Sequence, residues 1–234
     1  MRTSRGEEGR DFERGAAERV GAPSRGESEG RRIAVAVLVA VCACAGAPQS
    51  VKLGAPWPDK PSAYEAAHDR WTRHGSHSAD MMQVIDAFAT LASPEFRLAY
   101  VTERARRTGL PPADADALVA AERAAADDSW EVELVVATGK AAWNDFHKPA
   151  RSMWRVALAG DDGREVVPES VREDKRPRAA IAEYFPDLGP FHRAYIVRFP
   201  KVGADGRPLV AGDASRLTLK IGSDLVKIEM SWGP

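Results

Sequence analysis

Cysteine is nearly absent from this chain. Of 234 residues only Cys42 and Cys44 are cysteines, and both lie near the N-terminus. If that region is set aside, no thiol remains, which excludes an intrachain disulfide, a cysteine nucleophile and a thiolate zinc site. Long apolar runs are missing too. The run Ile33 to Ala47 covers 15 residues, short of the ~20 that a bilayer-spanning helix needs. Neither sign of charge dominates: 33 basic residues face 34 acidic ones, and beyond residue 43 the balance is 25 to 27. No basic field is available to attract nucleic acid. Nucleotide and metalloprotease fingerprints are absent as well, since neither G-x-G-x-x-G nor H-E-x-x-H occurs. "ATGK" at 137–140 is no P-loop, because the upstream glycine is missing and Ala141 follows the lysine. "GESEG" at 26–30 fits G-x-S-x-G, but that elbow requires a strand before the serine and a helix after it, and Ser28 stands in a charged leader just before the expected signal. No cofactor is implied, and the balance leans away from an enzyme.

What is present begins with "RRIAVAVLVAVCACAGAP", residues 31–48. Arg31 and Arg32 form a basic flank, Ile33 to Val41 an apolar core, and small residues with cysteines close the run. A secretory signal has these three parts. The end of the run, "VCAC", resembles the bacterial lipobox, in which an aliphatic residue and small residues precede a cysteine that becomes lipid-modified. Small Ala43 before Cys44 makes Cys44 the expected lipidation site, with Cys42 as the alternative. The chain is thus similar to bacterial lipoproteins over residues 31–45, and to no named domain beyond them. The resemblance implies an exported lipoprotein anchored to the membrane, in the periplasm or outer membrane of a Gram-negative bacterium, with an envelope protein as the expected partner. It brings no activity and no catalytic residue. Ala45 after the cysteine is compatible with outer-membrane sorting.

Residues 1–30 alternate both signs of charge and read as a disordered leader, or as the result of a start assigned too early. Residues 31–43 are the signal segment. Residues 44–60, rich in Gly, Ala and Pro, read as a flexible tether.

Residues 61–126 read as helical. Ser62 and Glu65 match a capping box. Asp80 is expected to cap a second helix carrying Met81, Val84, Ile85, Phe88 and Leu91 on one stripe. "SPEF" starts a third, with Ser93 as N-cap and Pro94 at the first position, stopped by Gly109 and Pro111. "ADADALVAAERAAADD" is a fourth. From Trp130 the period changes to two, so that residues 128–234 read as antiparallel strands. "RLTLKIGSDLVKIEMSW" is the plainest hairpin. The expected fold is α+β: a helical N-terminal segment followed by an antiparallel β-sandwich or barrel-like sheet.

Two clusters are candidate sites. His74, His77 and Asp80, with His68 before them, offer nitrogen and oxygen ligands for a divalent metal, though Gly75 argues against the helix that would make them converge. "WNDFH", Trp143 to His147, is a candidate binding loop. Its Asp145 and His147 could also pair as a general base and its orienting partner. The leading reading is a binding or structural module. The alternative is an envelope hydrolase or metal-assisted enzyme using His147 or the His74/His77 region.

Overall fold

The computed structural model describes residues 49–212 and 215–234. The expected leader, the expected signal segment and both cysteines lie outside the described residues. The elements run α1 (Tyr64–Trp71), β1 (Thr72–Ala79), β2 (Met82–Leu91), α2 (Pro94–Thr108), α3 (Pro112–Asp128), β3 (Ser129–Thr138), β4 (Arg155–Ala159), β5 (Glu165–Val166), β6 (Ser170–Glu173), α4 (Arg178–Ala182), β7 (Arg193–Pro200), β8 (Leu217–Gly222) and β9 (Lys227–Trp232). Two antiparallel sheets result, one ordered β1-β2-β3-β7-β6 and the other β5-β4-β8-β9. The α+β class stands.

Helix α2 forms as its ends dictate. The Ser93 hydroxyl accepts from the Phe96 amide, Pro94 opens the first turn, and Gly109 closes the helix at φ 63°. Helix α3 also occupies its expected place. Helix α1 is shorter than expected and begins without the capping box, because the Ser62 hydroxyl donates instead to Glu95 Oε1 at 2.7 Å. Its Tyr64, His68 and Trp71 face the interior as their spacing requires.

The second expected helix does not exist. Residues 72–91 form a β-hairpin, and Asp80 caps nothing. Asp80 and Met81 are the two turn residues, both at positive φ (49° and 61°), between the paired ends Ala79 and Met82. That is the signature of the turn type that matches strand twist. The stripe Val84, Ile85, Phe88, Leu91 fitted a helix, yet Ile85, Ala87, Ala89 and Leu91 also alternate. All four are fully buried on one sheet face, and pairing of β2 with strands on both sides decides the matter. The boundary near residue 127 is therefore not a structural division, since strands from both sides of it share one sheet.

The expected tether is also partly folded. Over the described part, Val51 and Leu53 are buried, the Val51 amide donates to Gly233 O at 3.0 Å, and Arg73 Nη2 donates to Gln49 O at 2.7 Å. The two sheets approach where β1 passes β9. A Cβ at Gly75 would lie 3.2 Å from Met230 Cγ, so glycine allows this contact. Arg73 Nε donates to Ser231 O and Trp232 Nε1 donates to Trp71 O.

Charge is buried in the five-stranded sheet. Arg97, from α2, donates to Ala92 O and pairs with Glu122 and with Glu131 of β3; Glu131 also accepts from Arg198. Two residues further along β3, burial and the neighbouring Glu131 push the Glu133 carboxyl up to about 8, against the pull of Arg176 and Arg97.

Candidate functional site

The β1–β2 register puts His74 opposite Phe88 and Ser76 opposite Asp86, so His74, Asp86 and Phe88 share a sheet face. The Asp86 carboxylate joins two imidazoles: Oδ1 is 2.7 Å from His74 Nε2 and Oδ2 is 3.1 Å from His192 Nε2. His192 arrives from the segment just before β7. Gly189 permits its approach, because a Cβ there would lie 3.0 Å from His192 Nδ1. Phe88 stacks on the His74 ring with centroids 4.4 Å apart. His192 and Asp86 are mostly buried, whereas half of the His74 side chain is exposed (50%). A carboxylate so placed orients each ring through its Nε2.

Further acids and a third histidine stand close by. His68 Nε2 is buried without a hydrogen bond, 4.0 Å from Asp187 Oδ2. Burial lowers the His68 pKa, opposed by Asp187 and Asp69. Burial raises the Asp187 carboxyl, Asp69 adds to this, and His68, His74 and His192 oppose it.

The candidate ligands His74, His77 and Asp80 are not brought together. His77 pairs with Ile85 at odd register from His74, which turns the two histidines to opposite faces, and Asp80 sits at the hairpin tip. Among the described residues no group of three or more His, Cys, Asp or Glu is arranged to hold a metal ion.

The loop Trp143 to His147 is spent largely on its own structure. Asn144 is buried, donates from Nδ2 to Val136 O at 2.8 Å, and accepts from the Tyr195 hydroxyl at Oδ1. Phe146 is buried against Trp154, with nearly parallel rings 5.5 Å apart. Asp145 accepts from Ser152, and Trp154 Nε1 donates to Trp143 O. His147 stacks on Tyr195, its Nδ1 buried without a partner. Asp145 bonds Ser152 rather than orienting His147. Lys140 sits over the Trp143 ring.

Beside this loop and the histidine bridge lies an open cleft of about 630 Å³, lined by Met82, Gln83, Gly139, Asn144, Arg178, Phe191, His192 and Arg193 among others. Gly139 is required there: a Cβ would fall 2.3 Å from Gln83 O, while its amide donates to Val84 O. Large apolar side chains stand exposed in its lining, Phe191 (85%) and Met82 (57%), and Met81 (103%) precedes Met82 in the turn. Arg178 donates to the carbonyls of Leu188, Gly189 and His192, and Arg193 donates to Asn144 O.

Sequence reasoning missed Asp86, Phe191, His192 and Arg193. Asp86 becomes visible once residues 82–91 are taken at period two. His192 is 106 residues from Asp86, and no local spacing marks it. No helix among the described residues is long and apolar enough to cross a membrane. No protein-family model matches the chain, and neither a curated protein nor a solved structure does.

Proposed function

We propose that this is a lipid-anchored cell-envelope protein whose globular domain binds a protein partner in the envelope. The observation that carries the binding role is the exposure of Met82 and Phe191 in the lining of one cleft, with fully exposed Met81 next to Met82 in the hairpin turn. Side chains of this size clustered on a surface mark an interaction site, whereas singly scattered ones need no explanation. The backbone at Met81 supports this. A bulky residue in the left-handed region is strained, and such strain collects at functional sites. The anchor rests on the lipobox-like "VCAC". With lipid on Cys44, seven residues lead to buried Val51, a reach of at most ~25 Å, so the domain would work close to the membrane. We take the two sheets as the layers of a sandwich, with the cleft at the hairpin-tip end of the five-stranded layer.

The test is site-specific photo-crosslinking in the cell envelope. A crosslinker at Phe191 or Met81 should give a discrete adduct, and one at Leu225, exposed in the other sheet's hairpin, should give none. Equal labelling from all three positions, or none from Phe191 and Met81, would overturn the reading.

A second reading, an envelope enzyme, has one observation in its favour: the pairing of half-exposed His74 with Asp86 at 2.7 Å, the arrangement of a general base and its orienting group. No serine or threonine hydroxyl is hydrogen-bonded to either imidazole of the bridge among the described residues. Hydrolysis of activated esters or phosphate esters that is lost in His74→Ala and reduced in Asp86→Asn would favour the enzyme. Turnover unaffected by both variants would dismiss it.

A further inference from the structure

On another part of the domain, the folded part of the expected tether forms one wall of a second cleft, of about 370 Å³. Its wall residue Trp57 faces Arg123 of α3, whose guanidinium carbon is 5.2 Å from the ring centroid. Opposite, Lys201 Nζ, just beyond β7, lies 4.8 Å from the centroid of Trp130, at the start of β3. Both cations rest on aromatic faces, and among the described residues neither has a carboxylate within ion-pair distance. Asp127 is the one acid among the lining residues, and Asp127 and Asp128 favour the charged form of Lys201, which burial disfavours.

The floor carries a second, independent sign. Ser129 Oγ and Trp130 Nε1 are buried and have no hydrogen-bond partner. Both residues line the cleft, and they are 3% and 9% exposed. Buried donors left unmatched are uncommon, and each asks for an explanation such as a missing acceptor. Two donors without acceptors and two cations without anions, walled by Trp57, Trp130 and prolines, are complementary to a ligand that brings oxygen acceptors, negative charge and a compact apolar body.

We propose that the Trp57–Trp130 cleft is a binding site for a small organic anion: a phosphate or carboxylate joined to a compact apolar group. Arg123 and Lys201 hold the charge, and Ser129 and Trp130 donate to its oxygens once the Lys201 side chain shifts from the Trp130 ring to meet it. The ligand has two possible sources, a free solute or the headgroup of an anionic lipid. The cleft's nearness to Cys44 in the chain bears on the second and rests on the anchoring reading above; the site itself does not.

The experiment is calorimetric titration of the detergent-solubilised full chain with phenyl phosphate and with inorganic phosphate, beside flotation on phosphatidylglycerol or phosphatidylcholine vesicles. Phenyl phosphate should bind saturably, tighter than inorganic phosphate and more weakly as salt rises. The double variant Arg123→Gln/Lys201→Gln should weaken binding about tenfold or more. Both positions reach solvent and hold no ion pair, and an unchanged melting temperature confirms folding. Trp57→Ala, half-exposed, should weaken phenyl phosphate more than inorganic phosphate. Binding to phosphatidylglycerol vesicles alone, with the same loss in the double variant, would support the site and identify the lipid as the source. No saturable binding to either, or binding that the double variant leaves unchanged, overturns the proposal. A Cys44→Ala chain that leaves the membrane and still binds phenyl phosphate keeps the cleft and the anchor; a wild-type chain that is never lipidated but binds equally well keeps the cleft and removes the anchor.

Discussion

The two sheets are built on the same antiparallel geometry and bury different things. In the four-stranded sheet, Leu158, Leu217, Leu219, Ile221, Met230 and Trp232 are almost wholly inaccessible, and its edge polar pairs, such as Lys220 with Glu165, stay at the surface. The five-stranded sheet buries Ile85, Leu91, Val132 and Val197 just as deeply, but it also takes in Arg73 and Glu131, the latter paired with buried Arg97 of α2, half-buries Glu133, and places Asp86 between two histidines. Apolar burial stabilises without direction. Buried charge is tolerated only when each group finds its partner. The first sheet therefore reads as the foundation, and the second carries the groups a binding protein would use.

The largest effect should come from the foundation. Trp232→Ala removes a fully buried indole and its bond to Trp71 O and should cost about 3–5 kcal/mol, read by chemical denaturation. A loss under about 1 kcal/mol would mean the four-stranded sheet is not the foundation. Next is the ion network. Arg97→Ala leaves Glu131 with Arg198 alone and Glu122 without its cation, and should cost about 3 kcal/mol. An apolar replacement of similar length, Arg97→Met together with Glu131→Leu, should cost less than Arg97→Ala.

Glu133 tests the sign of the contrast. Its folded pKa, about 8, is above the ordinary 4.5. Below pH 4.5 the carboxyl is protonated in both states and contributes nothing. Between the two values the unfolded chain has released its proton and the native one has not, so stability falls as pH rises across this window and levels off above pH 8. Glu133→Gln should abolish this fall. The variant should match wild type near pH 4 and exceed it near pH 8 by up to about 4 kcal/mol. A variant less stable than wild type at pH 8 would show that the carboxylate is satisfied there. The smallest effect belongs to the hairpin tip. Met81→Gly relieves a positive-φ side chain that is wholly exposed and should add about 1 kcal/mol. Its crosslinking partner should be lost at the same time, so that stability and binding move in opposite directions.

The same contrast explains what the sequence made legible. The β8–β9 hairpin can be read directly, since Leu217, Leu219 and Ile221 alternate with polar residues and Gly222 stands at the turn. Helix α2 announces both ends through Ser93, Pro94 and Gly109. The β1–β2 hairpin announces neither. Strand β1 has one buried side chain, Arg73, because it is an edge strand that exposes most of its side chains. Its turn uses Asp80 and Met81 where glycine would have signalled the reversal, and Val84, Ile85, Phe88 and Leu91 satisfy helix and strand periods alike. The burial of Val51 and Leu53 is not legible, because two apolar residues amid Gly and Pro have no periodicity to show. Of the site, His74 was legible as a residue worth watching. Its partners were not, since Asp86 lay on a strand read as helix and His192 comes from far along the chain. The loop from Trp143 to His147 attracted notice by composition, and its aromatic and amide groups turn out to close the end of the sheet.

Whether this domain works from a lipid anchor, as proposed, is read by metabolic labelling of the full chain with a fatty-acid analogue, followed by membrane fractionation. The protein should be labelled and in the membrane fraction, with label and retention both lost in Cys44→Ala and both kept in Cys42→Ala. An unlabelled wild-type chain in the soluble fraction, or labelling that survives removal of both cysteines, would contradict it.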